Sequence, residues 1–181
     1  AEALANEGAE VNLVTGPTAL HTAHPSIVVK AVTSAEEMFN ACNQYFPTSD
    51  IAVLSAAVAD YKPAVRAEQK IKKNADNLML ELTKTHDIAA SLGKIKHNGQ
   101  VIVGFALETE QEKENALKKL ESKNFDMIVL NSLNDHGAGF GHDTNRISIL
   151  DRARKEKSFD LKTKKEVAKD IVEAIIEKLH A

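Results

Sequence analysis

Residues 51–59 (IAVLSAAVA) run for nine positions without a charge, and residues 101–107 (VIVGFAL) run for seven further along the chain. Runs this short fall well under the roughly 18 residues a membrane-spanning helix needs. They also lack the alternation of a strand with one wet face. They fit parallel strands that helices cover on both sides, which places the chain among layered α/β folds. At 181 residues one such domain, spanning 1–181, is expected rather than two. Aromatic residues are only 4% and Trp is absent, so the core must be aliphatic.

The rest of the chain supplies the helices. Residues 1–7 (AEALANE) read as the last turns of a helix stopped by Gly8, feeding a strand at 11–15 that ends at Gly16-Pro17. A helix without a start signal that feeds a strand reads as the second half of a βαβ unit whose first strand is absent. A β-branched strand follows at 27–32. Ser34-Ala35-Glu36-Glu37 has the spacing of a capping box and opens a helix to about residue 45. Further strands are expected at 78–82, 101–107 and 127–131. Helices are expected at 87–96, with Thr85 as cap, and at 109–124, with acids first and lysines last. Residues 146–150 and 158–161 suggest a terminal hairpin. In the helix at 164–179, Val167, Ile171, Ala174, Ile175 and Leu179 share one face. The expected architecture is a Rossmann-like three-layer α/β fold with a mainly parallel sheet, plus a C-terminal hairpin and helix.

A net charge of −3 and a pI near 6.2 give no global signal for nucleic acid or membrane, and neither is expected as a partner. Cys42 is the single cysteine, so no internal disulfide can form; it lies in an apolar-periodic stretch and reads as a buried structural thiol, with a reactive thiol as the sharper alternative. The opening residues show no basic region followed by a hydrophobic stretch, and a cytoplasmic protein is expected.

In open parallel sheets ligands bind beyond the carboxyl ends of the strands, so those ends are where chemistry is sought. The first is Ala56-Ala57-Val58-Ala59-Asp60-Tyr61, where small residues let a ligand approach the backbone and Asp60 offers a carboxylate, or merely caps a loop. The second is Lys70-Ile71-Lys72-Lys73. Between residues 60 and 73 five cations (Lys62, Arg66, Lys70, Lys72, Lys73) face two anions (Asp60, Glu68), the local basic patch a phosphate would need. A solvated charged loop is the plainer alternative. The third is Gly104-Phe105-Ala106, where Phe105 either covers a base or joins the core. Lys119 and Lys123, four apart, share a helix face and either point at a ligand or complement the helix end.

Other signals fail. Gly137-Ala138-Gly139-Phe140-Gly141 lacks the G-x-G-x-x-G spacing, and no helix pattern follows it. The seven histidines form no HExxH or H-x-x-x-H pair, and no G-x-S-x-G elbow or GKS/GKT loop occurs. Metal ligands are not identifiable.

Taken together, VNLVTGPTAL (11–20), TSAEEM (33–38), SAAVADYKP (55–63), KIKK (70–73), ELTKTHDI (81–88), VGFALET (103–109) and GAGFG (137–141) resemble bacterial phosphopantothenoylcysteine synthetase, the ligase half of a bifunctional coenzyme A biosynthesis protein. The resemblance runs along essentially the whole chain. It implies joining 4′-phosphopantothenate to L-cysteine with CTP and Mg²⁺ through an acyl-cytidylate, in a homodimer, with a flavin-dependent decarboxylase domain as fused or associated partner; no flavin is expected in this domain. It assigns nucleotide contacts to Leu54, Ser55, Ala56, Asp60, His86, Asp87, Ile88, Ala89, Phe105, Lys119 and Lys123. Lys70 becomes the key phosphate-binding and catalytic lysine. Position 86 is commonly proline in the family. The family also carries, ahead of its first helix, a strand and an SSGKMG loop with an asparagine, which are missing from this sequence. A non-catalytic nucleotide-binding module of the same fold and a nicotinamide-dependent reductase are the rival expectations.

Overall fold

Residues 1–71, 78–108, 110–132 and 143–180 are described by a computed structural model. Helix α1 (Glu2–Asn6) stops at Gly8, whose φ of 92° suits glycine alone, and leads into β1 (Val11–Thr15). Strand β2 (Ile27–Ala31) pairs with β1 in parallel. Helix α2 (Ala35–Tyr45) begins at Ser34, whose hydroxyl accepts the Glu37 N–H. The return half of the expected capping box is displaced by one residue. The Glu37 carboxylate takes the N–H and hydroxyl of Thr33, at 2.6 and 3.0 Å, rather than the Ser34 N–H. Those Thr33 hydrogen bonds hold the Glu37 carboxyl below its usual range.

A single turn of 3₁₀ helix, Phe46–Thr48, leads to β3 (Ile51–Leu54). Strands β4 (Tyr61–Pro63) and β5 (Leu82–Lys84) then form the antiparallel base of an arm. A loop was expected across the first of these and a strand at 78–82 for the second; Leu78, Met79 and Leu80 instead lie exposed outside any strand. Helix α3 (Ile88–Ile95) is capped by Asp87, not Thr85, because the Thr85 hydroxyl donates to the Ala59 carbonyl at 2.6 Å. After β6 (Val101–Glu108), helix α4 (Glu112–Ser122) starts later than expected, since Gln111 takes a left-handed conformation with φ 46°; Thr109 lies outside the described residues. The chain closes with β7 (Met127–Ser132), β8 (Thr144–Asn145), β9 (Ile147–Asp151), β10 (Glu156–Ser158), β11 (Lys162–Thr163) and α5 (Lys164–Leu179).

The main sheet has the order β10-β9-β7-β6-β3. Strands β3, β6 and β7 are parallel, and β9 and β10 form an antiparallel hairpin at the C-terminal side, its second strand at Glu156–Ser158 rather than at the expected 158–161. The apolar run 51–59 does not make a central strand. Only its first four residues pair, all are half-buried, and among the described residues β6 is their single partner. Past Leu54 the side chains of Ser55, Ala56 and Ala57 stand exposed. Strands β1 and β2 form a separate parallel pair, so β1 and β3 each keep one edge without a described neighbour.

Alternation along the strands sorts the core into two layers. Ile102, Ala106, Ile128 and Leu130 pack with Met38, Leu92 and Leu120 from α2, α3 and α4 and with Phe46 of the 3₁₀ turn. Val103, Val129 and Ile149 pack with Val167, Ile171 and Ile175 from α5 on the opposite face. Leu179, expected on that buried face, is 45% exposed at the end of α5. Cys42 is half-buried and its burial pushes the thiol pKa up, which agrees with a packing role. At the amino-terminal strand ends, Gln100 donates to the carbonyls of Phe46 and Ser49, and the Asp126 carboxylate accepts the Ile102 N–H and Lys96. That end of the sheet is fastened by buried polar bonds, and the carboxyl edge is left for a ligand.

Candidate functional site

The loop leaving β3 is stitched to the start of α3. Thr85 donates its N–H to the Asp60 carbonyl at 2.9 Å and its hydroxyl to the Ala59 carbonyl, so two sequence-predicted segments, 54–60 and 86–89, meet at the carboxyl edge. Leu54 is half-buried against the helix-side core, whereas Ser55, Ala56 and Asp60 are exposed. The Asp60 carboxylate has no ion-pair partner among the described residues.

At the start of α3 the Asp87 carboxylate accepts the Ala90 N–H at 2.9 Å and pairs with Lys123 at 3.1 Å. Burial would raise this carboxyl, but the Ala90 N–H and the Lys123 ammonium outweigh it and hold the group below the usual carboxylate range. Ile88 turns into the core and Ala89 packs against it, so these two residues offer a ligand backbone rather than side chains. Lys119 pairs with Glu108 at 2.6 Å. The shared helix face of Lys119 and Lys123 therefore does look toward the strand ends and α3.

His86 stacks on Phe39 of α2, ring centroids 4.5 Å apart, and lies 3.8 Å from Glu36. Glu36 also binds Lys62 of β4 at 3.2 Å. The rim thus holds Lys62, Lys119 and Lys123, each matched by a carboxylate. Phe105 does not join them. It points to the α5 side of the sheet and packs, half-buried, with that core layer. Lys70 lies on the exposed arm beyond β4 and, among the described residues, has no ion-pair partner. Lys72, Lys73 and the glycine-rich residues 137–141 lie outside the described residues.

Sequence reasoning gave no role to Glu36, Phe39 or Glu108. Glu108 was findable, because it ends a buried parallel strand where ligands are met; Glu36 and Phe39 reach the site only through helix packing. Two recesses, of about 260 and 330 Å³, open beside β9–β10 and beside β1–β2, and neither is lined by a sequence-predicted site residue. Among the described residues no group of three or more His, Cys, Asp or Glu side chains could hold a metal ion, and no helix is long and apolar enough to cross a membrane. What the edge can do chemically is receive an anion: α3 presents its N-terminal end there, several lysines surround it, and one further lysine stands on a neighbouring arm.

Residues 1–179 match the family described as DNA/pantothenate metabolism flavoprotein C-terminal domain. The chain is 51% identical over 180 residues to a protein named Cysteine/Cysteine sulfinic acid decarboxylase from an unknown prokaryotic organism, covering 99% of this chain and 50% of that one. It is 38% identical over 175 residues to the Coenzyme A biosynthesis bifunctional protein CoaBC of Bacillus subtilis (strain 168), covering 97% and 43%. It spans about half the length, or less, of these curated relatives. Among solved structures, the C-terminal domain of a Coenzyme A biosynthesis bifunctional protein CoaBC superposes with a TM-score of 0.79 at 39% identity, covering 97% of this chain and 79% of that one. A DNA/pantothenate metabolism flavoprotein from Streptococcus pneumoniae superposes at 0.81 with 22% identity, covering 98% and 85%, a likeness of fold alone.

Proposed function

Since the chain belongs to the DNA/pantothenate metabolism flavoprotein C-terminal domain family, we propose that it carries a phosphopantothenate–cysteine ligase site working through an acyl-cytidylate. What supports this is the meeting, at one sheet edge, of the Leu54–Asp60 loop, the capped start of α3, and the lysines of α4. In the first step a phosphopantothenate carboxylate oxygen attacks the α-phosphorus of CTP and pyrophosphate leaves. In the second the cysteine amine attacks the acyl carbon, CMP leaves, and the amine loses a proton.

A carboxylate attacking a triphosphate brings two anions together, so catalysis must neutralise charge that grows on phosphate oxygens. Lys119 and Lys123 stand against Glu108 and Asp87. An ammonium has three donors, so each can turn to a phosphate while keeping its carboxylate. Lys70, without such a partner among the described residues, has its whole charge available to the reacting phosphates. The backbone N–H groups at the start of α3 favour the polar edge of the nucleotide. Magnesium would arrive with the triphosphate, because the described side chains do not themselves build a site for it.

The test is pyrophosphate release from the full-length protein. Release that requires both CTP and 4′-phosphopantothenate is expected, and release with CTP alone or none at all overturns the proposal. CTP binding without turnover favours the non-catalytic module, and NADPH binding favours the reductase. The 51% identical relative directs one further reading, in which the longer protein decarboxylates cysteine. Carbon dioxide release from cysteine without nucleotide would favour it.

The arm supports a homodimer. Val65, Leu78 and Met79 are 79%, 69% and 96% exposed, on one excursion with Ile71 and Leu80, more apolar surface than a solvated loop needs. A second copy offering the same arm would cover it by an isologous contact. Light scattering should give twice the 19.7 kDa chain mass for this domain, and a Met79→Asp, Leu80→Asp double variant should give the single mass. An unchanged mass in the variant would remove the arm from the interface.

A further inference from the structure

Three elements distant in sequence converge on one carboxylate. Glu36 lies in the first turn of α2; its Oε2 is 3.2 Å from Lys62 Nζ at the root of the arm, and its Oε1 is 3.8 Å from His86 Nε2, just ahead of α3. The imidazole is steadied on its flat side by Phe39, one turn further along α2, with an interplanar angle of 27°. The arm root and the start of α3 are already joined to each other through Thr85. Glu36 adds the tie from both of them to α2, the helix that crosses that face of the core.

We infer that Glu36 is a positioning residue: it clamps the root of the β4–β5 arm, which carries Lys70, and the start of α3 to the same turn of α2. Its catalytic consequence rests on the ligase function proposed above; its mechanical consequence does not. A lysine that neutralises charge on a reacting phosphate must be held in place, and an arm that joins the domain through two three-residue strands needs a further tie at its root. The Lys62 half of the clamp is a direct ion pair at 3.2 Å. The other half is an ion pair only when the imidazole is protonated, so lowering the pH strengthens it. Among the described residues the ring's ion-pair contact is Glu36 from α2, which Lys62 from β4 shares, and the Asp87–Lys123 pair follows next in the chain at the start of α3. Asp87 is already engaged by Lys123 and by the helix end, and Glu36 is the carboxylate within ion-pair distance of the imidazole.

The experiment is amide hydrogen exchange at pH 8 and pH 5.5, corrected for intrinsic rates, on the wild-type chain, Glu36→Gln and His86→Phe. The ladder amides of β4 and β5 and the Thr85 amide report the clamp. Glu36→Gln should lower their protection about threefold at pH 8, the size of an exposed ion pair, and further at pH 5.5, with the β6 and β7 amides unmoved. His86→Phe keeps an aromatic face on Phe39 but carries no charge, so its arm protection should lose the acid-side increase of the wild type. Pyrophosphate release measured alongside should show Glu36→Gln lowering kcat more than it raises KM for CTP. Equal arm protection in wild type and Glu36→Gln at both pH values overturns the inference, as does a loss spread evenly over the central strands. If the protection changes appear but the wild-type chain never releases pyrophosphate, the clamp stands and the ligase proposal falls.

Discussion

Gly104→Ala is expected to destabilise the domain by about 3 kcal/mol, at the upper end of the usual overpacking cost, and to lower its melting temperature by roughly 6–12 °C. Gly104 lies mid-way along β6, on the face turned to α4. A Cβ built there would stand 2.7 Å from Cζ of Phe125 and closer still to Cε2 and Cδ2. The ring has little freedom to withdraw. Phe125 is only 3% exposed, its N–H donates to the Leu120 carbonyl, and its own carbonyl accepts from Arg152. The next residue, Asp126, is fixed by the Ile102 N–H and by Lys96. Shifting the ring therefore means shifting the α4–β7 junction. A double-mutant cycle isolates the contact. In a Phe125→Leu background, which vacates part of the ring's volume, Gly104→Ala should cost about 1 kcal/mol or less. An equal cost in both backgrounds would show that the strain arises elsewhere. The same glycine was visible in the sequence only as one small residue within VIVGFAL.

What the sequence disclosed and what it withheld divide along a physical line. Strand β1 and helix α5 fall where local pattern put them, because a glycine stop and a helical apolar period act within a few residues, and the structure adds a Thr163–Glu166 capping box at the start of α5. The errors come where a distant partner outbids a local one. Thr85 is a sound helix cap by composition, yet the arm brings the Ala59 carbonyl to its hydroxyl and leaves the capping to Asp87. Residues 51–59 look uniformly buried, yet burial requires neighbours, and β3 has a described strand on one side only. The site follows the same division. The strand-end rule points to Asp60, the helix periodicity to Lys119 and Lys123, and the charge count to the basic stretch that the arm carries. Strand parity separates Phe105 from Ala106, but which face holds the lysines is settled only when α4 packs. Glu36 meets Lys62 and His86 through tertiary packing that no local spacing encodes.

Lys70→Gln is expected to lower the rate of acyl-cytidylate formation about 10²- to 10³-fold, the loss usual for removing one preorganised donor from a developing oxyanion. Glutamine keeps much of the length and loses the charge, and Lys70 is exposed on the arm, so thermal stability should not change. The variant separates two ways in which a basic arm can serve a polyphosphate. If the arm acts by its summed positive charge, Arg66→Gln, on the same exposed stretch, should slow the reaction as much as Lys70→Gln, and both effects should fade together in high salt. If Lys70 touches the reacting phosphate, Arg66→Gln should stay within a few-fold of wild type while Lys70→Gln does not, and Lys70→Arg should recover only part of the loss because its fork sits differently on a phosphate. Single-turnover measurement of pyrophosphate places the effect in the first step. Adding preformed acyl-cytidylate and cysteine then bypasses that step, and amide formation by Lys70→Gln should return to near the wild-type rate. Acyl-cytidylate formation at the wild-type rate in Lys70→Gln would remove this lysine from the chemistry and leave Lys119 and Lys123 as the phosphate's partners.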